Sequence, residues 1–186
     1  NRLKQTTVNG AVSVLDSAVS AAIEIARAGA VAVIGSGRRS EAEPFLPKHL
    51  AAALNAPVAL VSRVGEGDQL LVSADRNPNV RGALVTGLIN ALPGRKLSAL
   101  ATGIDAGKIT TVISLGEDLA AAGLTAAQLA KVAVIYLGTS VNATSKAAKV
   151  VIPTLTVFEK SGTLVNQQFR IKKFAKAVPA ASGATD

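Results

Sequence analysis

With 186 residues, the chain can enclose one core of domain size and little more. Hydrophobic residues make up 49% of it, aromatics only 3%, and cysteine is absent, which excludes disulfides, thiolate nucleophiles, iron–sulfur ligation and cysteine-based zinc sites in this chain. Twenty basic against twelve acidic residues leave a net charge of +8. Apart from Arg170, Lys172, Lys173 and Lys176 the basic residues are scattered, without the clustering and stacking aromatics of a nucleic-acid surface.

A core drawn from Ala, Val, Leu and Ile suits a parallel sheet covered by close-packed helices. No apolar run approaches the ~20 residues needed to span a bilayer, and residues 1–7 lack the apolar stretch of a signal peptide. Methionine is absent, so the chain reads as a piece of a longer protein. Residues 1–178 are expected to form one α/β domain and residues 179–186 a flexible tail.

In chain order, residues 12–28 carry apolar positions at helical spacing, with Ser13 and Asp16 placed as a capping pair and Gly29 at the stop. Residues 30–34 are wholly apolar and read as the first central strand. They end in Gly35-Ser36-Gly37, and a helix follows to Leu54, with Ser40 and Glu43 at capping-box spacing and Pro44 in its first turn. Residues 57–61 form the next strand, and a long polar connection leads to a helix over 80–90 that Pro93-Gly94 ends. A short helix over 97–106 closes at Gly107, and 109–115 is a β-branched strand. Thr125 caps a helix to Lys131; residues 132–137 and 150–152 are strands, with a short helix at 145–148 between them. Strands alternating with helices predict one mainly parallel sheet, helices on both faces, in a three-layer, Rossmann-like α/β architecture. That rhythm breaks after Pro153, where Glu159-Lys160-Ser161-Gly162 turns the chain. The alternation of apolar and basic residues from Phe169 to Phe174 predicts a strand with one buried face.

Three glycine turns stand at strand ends, where open α/β sheets bind ligands. Gly35-Ser36-Gly37 has the context of a phosphate-binding turn, but Ser40 replaces the third glycine of the dinucleotide fingerprint, and Arg63 stands where a ribose-binding acid belongs. A plain strand-to-helix turn accounts for it better. Gly116-Glu117-Asp118 and Gly138-Thr139-Ser140 could cradle a nucleotide or pterin phosphate, or simply turn the chain. Glu117 and Asp118 are adjacent and so point in different directions. His49, the single histidine, has no partner for metal or acid–base work. No catalytic or metal-binding constellation emerges.

Three ordered stretches carry a resemblance. Residues 108–118 and 134–153 resemble successive strand–turn units of the molybdopterin oxidoreductase family. Residues 159–173 resemble its E-K-x-G-T-x-x-N-x-x-x-R segment, through Glu159, Lys160, Gly162, Thr163, Asn166 and Arg170. Residues 75–82 and the Leu137-Gly138-Thr139 turn resemble one branch more closely: the large peripheral-arm subunit of bacterial NADH-quinone oxidoreductase (respiratory complex I). The resemblance implies a domain of the formate dehydrogenase type turned into a scaffold. It implies iron–sulfur clusters in a preceding part of the parent subunit, other peripheral-arm subunits as partners, and a cytoplasmic place in a membrane-associated complex. Catalytic residues, metal ligands and a cofactor are not expected here; Gly116, Glu117, Asp118, Gly138 and Thr139 are vestigial cofactor-binding candidates. Cofactor-binding relatives carry a Thr-Glu-Thr-type sequence where this chain has residues 140–144, and Val141 offers no hydrogen bond to a pterin. A pterin-binding molybdenum enzyme of the formate dehydrogenase kind and a nucleotide module built on Gly35–Ser40 are the alternatives.

Overall fold

The computed structural model describes residues 1–40, 42–68, 70–92, 97–181 and 183–185, with residues 42–44 as backbone only. The chain opens with two short strands, β1 (Thr7–Val8) and β2 (Ala11–Val12), followed by α1 (Leu15–Ala28), β3 (Val31–Ser36), α2 (Ala42–Ala53) and β4 (Val58–Val61). Next come α3 (Val80–Val85), α4 (Ser98–Asp105), β5 (Thr111–Leu115), α5 (Ala126–Ala130), β6 (Ala133–Gly138), α6 (Ala143–Ala147) and β7 (Val150–Pro153). A hairpin of β8 (Gly162–Val165) and β9 (Ile171–Phe174) completes them.

Seven strands form one sheet in the order β2-β1-β7-β6-β5-β3-β4. Pairing is parallel from β7 through β4, and β1 joins antiparallel to β7. The five expected strands are thus the five parallel ones. Their residues alternate between two cores. Val31, Val33, Ile113, Ile135 and Val150 face Ala18 of α1 and Ala51 of α2. Ala32, Ile34, Val112, Val134 and Val151 face Leu100 and Ile104 of α4 and Leu129 of α5. Both faces of each strand are covered, which is why these runs are continuously apolar instead of alternating. Each fully buried Val or Ile contributes about 1.5–3 kcal/mol by leaving water. Leu60 on β4 packs separately against Val80 and Ala83 of α3.

Capping fixes the short helices. Thr125 accepts the Gln128 N–H and the Gln128 side chain returns the bond, as expected; Asn142 does the same with Ser145 ahead of α6. The Ser13–Asp16 cap does not form. Helix α1 starts after Val14 with no side-chain cap, because the preceding residues are in a hairpin. Its turn is Asn9-Gly10, both at positive φ (49° and 81°), the pair a two-residue turn between twisted strands favours. The Ser40–Glu43 box, Pro44 and Pro93-Gly94 lie outside the described side chains or residues.

The β8–β9 hairpin corrects another expectation. Ile171, Lys172 and Lys173 are exposed, and Phe169 sits in the turn at positive φ, so β9 buries neither face. The ribbon stands apart from the main sheet, with only its Val165 end deeply inserted (2% exposed). The residues expected as a tail include Thr185, whose N–H donates to the Pro153 carbonyl and whose carbonyl accepts the Leu155 N–H. Among the described residues no helix is long and apolar enough to cross a membrane.

Candidate functional site

The chain runs from β3 outward to β4, then returns to the other side of β3 with β5, β6 and β7. Strand order therefore reverses between β3 and β5, and the crevice outside their carboxyl ends is where doubly wound sheets take ligands. Ser36 ends β3 there and Gly116-Glu117 follows β5.

Glu117 fills this crevice. Its side chain has no exposed surface, and Ser36 Oγ donates to Oε1 at 2.5 Å. Arg63, just past β4, grips both oxygens: Nη1 reaches Oε1 at 3.3 Å and Nη2 reaches Oε2 at 3.1 Å. Arg38 brings Nε to 3.6 Å of Oε1. A carboxylate this deep is tolerable only when its oxygens are matched by charge and by hydrogen bonds. Here a forked guanidinium and a hydroxyl do both.

Arg63 is itself held from behind. Asn77 accepts the Arg63 N–H through Oδ1 and donates from Nδ2 to the Arg63 carbonyl, both at 2.9 Å. Asp75 in turn accepts from Asn77 Nδ2 at 2.7 Å and pairs with Arg81 at 3.2 Å. Asn79, wholly buried, donates to the Arg39 carbonyl at 2.7 Å and accepts the Val165 N–H at 2.8 Å. Residues 75–82, singled out in the sequence by resemblance alone, are the struts of this crevice.

Arg39 crosses the neighbouring strand ends. Its Nη1 donates to Thr154 Oγ1 at 3.2 Å and its Nη2 reaches the Leu137 carbonyl at 3.5 Å. Its guanidinium lies on the Cα of Gly116, whose φ of +82° also disfavours any side chain. The Gly116 N–H donates to the Leu137 carbonyl at 2.7 Å. Asp118 points away from Glu117, accepting from Thr144 Oγ1 at 2.8 Å and from the Ala120 N–H at 3.2 Å. Gly138 packs against the Tyr136 ring, and its carbonyl accepts the Thr154 N–H. The Thr139 carbonyl accepts from the Leu3 N–H and from Arg2 Nη1. The structure thus groups Gly116 and Glu117 with Ser36, Arg38, Arg39 and Arg63, while Gly116, Asp118 and Thr139 come together on the wall of one neighbouring cleft. His49 lies exposed on α2, its ring 4.3 Å from that of Phe45.

Beside the crevice a cleft of ≈ 600 Å³ opens, walled by Arg38, Tyr136 and Ser140 on the sheet side and by Leu155, Leu164 and Phe174 opposite. Burial pushes the Tyr136 phenol up; its oxygen accepts from Asn142 Nδ2 at 2.8 Å. The E-K-x-G-T-x-x-N segment builds the far wall. Glu159 accepts from Arg2 and from the Thr156 N–H, each at 2.7 Å, and from the Ala181 N–H at 3.0 Å. The Thr156 N–H bond, ahead of the other contacts, holds its carboxyl below the ordinary range. Asn166 Oδ1 accepts the N–H groups of Gln168 and Arg170 and shapes the hairpin turn.

Sequence reasoning missed Ser36 and Arg63 as partners of Glu117. The signal was an arginine closing β4 across from an acidic turn after β5, legible once the strand order is known.

These features define a doubly wound α/β domain with a polar crevice at the reversal of strand order. Residues 48–185 match the model of the molybdopterin oxidoreductase family, so the chain belongs to that family, whose members are oxidoreductases. A search of curated proteins returned no match. The family implies a pterin cofactor. The β3–β5 crevice does not fit a dinucleotide's phosphates as it stands, because the Glu117 carboxylate holds the hydroxyl and guanidinium donors they would need, and the Gly116 N–H is spent on Leu137.

Proposed function

We propose that this domain is a non-catalytic, structural part of the large peripheral-arm subunit of a bacterial NADH-quinone oxidoreductase, respiratory complex I. The parent assembly carries electrons from NADH toward quinone. This domain braces the cluster-bearing parts of its subunit, presents surface to neighbouring peripheral-arm subunits on the cytoplasmic side, and holds no pterin, nucleotide or metal of its own.

One observation carries this reading: four polar groups at the carboxyl ends of β5 and β6 that could meet a cofactor are already engaged by the protein itself. Glu117 is matched by Ser36 and Arg63, the Gly116 N–H by Leu137, Asp118 by Thr144, and the Thr139 carbonyl by Leu3 and Arg2. A cofactor taken up here would have to break these bonds and leave their partners unpaired, at about 1–3 kcal/mol for each buried group. Residues 75–82, whose pattern resembles the complex I branch, supply the struts that hold Arg63 in place.

The test is metal analysis together with the fluorescence of oxidised pterin on the purified parent protein. The expected result is iron without molybdenum, tungsten or pterin. Stoichiometric pterin with molybdenum would replace this reading by that of a molybdenum enzyme of the formate dehydrogenase kind.

A further inference from the structure

We propose that Glu117 is a built-in anion: its carboxylate occupies the phosphate seat of the β3–β5 crevice, and removing its charge opens that seat to a phosphate-containing ligand. The inference rests on the cofactor-free reading above and goes beyond it, because it assigns a latent binding site and names the residue that closes it.

The location is the first argument. In doubly wound sheets the crevice at the reversal of strand order is where phosphates bind, and here that position is held by a carboxylate with no exposed surface. The donor set is the second. A hydroxyl from Ser36, the forked guanidinium of Arg63 and the Nε of Arg38 converge on two oxygens. Forked guanidinium with a hydroxyl is the chemistry that recognises phosphate as readily as carboxylate.

Access is the third. The Arg63 and Arg38 side chains remain 41% and 49% exposed while Glu117 is sealed. The carboxylate therefore reaches the seat from the protein side, and once it is removed an outside anion could reach the freed guanidinium groups from solvent. The fourth is rigidity. Asn77 fixes both backbone polar groups of Arg63, and Asp75 fixes Asn77, so the backbone that carries the guanidinium stays beside the seat when the side chain that fills it is shortened.

The experiment compares the wild-type chain with Glu117→Ala and the near-isosteric Glu117→Gln, using inorganic pyrophosphate as the probe in titration calorimetry and thermal melts. Wild type should show no saturable heat and no shift. Glu117→Ala should bind, with Tm rising by about 3 °C or more at ~10 mM pyrophosphate. Adding Arg63→Ala in that background should abolish the effect. Should either variant lack a melting transition in plain buffer, pyrophosphate should restore it.

Folded Glu117 variants that ignore pyrophosphate, unfolded ones it does not restore, or binding that survives Arg63→Ala would each overturn the proposal. Where wild type stays silent in those cases, the cofactor-free reading stands. Wild type binding pyrophosphate as tightly as Glu117→Ala would overturn both.

Discussion

Asn79 and Val165 stand 86 residues apart and meet through one hydrogen bond, the Val165 N–H donating to Asn79 Oδ1 at 2.8 Å. The other end of the same amide donates to the Arg39 carbonyl. One buried side chain thus joins the loop after β3, the start of α3 and the hairpin at the far end of the chain.

Asn79→Ala removes that joint and takes the partner from the buried Val165 N–H and from the half-buried Arg39 carbonyl. The expected loss is about 1–3 kcal/mol in denaturant melts, with faster hydrogen exchange at the Val165 amide. An unchanged exchange rate at Val165 would show that the hairpin is held by something else.

Ile135 lies at the centre of the sheet with 2% of its surface exposed. Ile135→Ala should cost about 2–5 kcal/mol through the cavity it leaves. Lys172, on the exposed strand β9, should tolerate alanine within about 0.5 kcal/mol. Comparable losses for the two would contradict the assignment of buried and wet strands.

Glu159 carries a pH dependence whose sign is fixed by the direction of its shift. The Thr156 N–H bond above all, helped by Ala181 and Arg2, holds the folded carboxyl below its ordinary value. Its contribution is therefore complete above the unfolded value of about 4.3. It is lost as pH falls through the lower folded value. Glu159→Gln should lower stability at pH 7 and flatten the acid limb of the stability profile below about pH 4.3. A wild-type limb that the substitution leaves unchanged would assign acid sensitivity to other carboxylates.

Gly116 and Gly10 share a positive φ, 82° and 81°, but differ in surroundings. A methyl group on Gly10 meets open space, whereas on Gly116 it meets the Arg39 guanidinium. Gly10→Ala should cost about 1 kcal/mol from backbone conformation alone, and Gly116→Ala clearly more. Equal losses in urea melts would show that Arg39 yields without cost.

The central strands were legible because a parallel strand buried on both faces must be apolar throughout, and residues 31–34 and 132–137 could be little else. The N-terminal hairpin is harder to see, although Asn9-Gly10 between Thr7-Val8 and Ala11-Val12 is a turn signal. The apolar periodicity of the adjoining helix runs into it at Val12. Strand β9 has the alternation of a half-buried strand, but burial depends on whether a neighbour covers it, and nothing in residues 169–174 says that none does. For the crevice, the glycine turns marked the right place. Glu117's role was hidden because Arg63 lies 54 residues away and Ser36 lies 81. Only the order of the strands brings them together.

The ion pair between Arg2 and Glu159 joins residues 157 positions apart in the chain. At roughly 5–20 residues per second of synthesis, the arginine waits on the order of 8–30 s for its partner to be made. Strand β1 waits nearly as long for β7. Until then β1 has β2 alone as its partner, and the edge that will meet β7 stays unpaired. During that interval the open edge invites a chaperone or mispairing with another nascent copy.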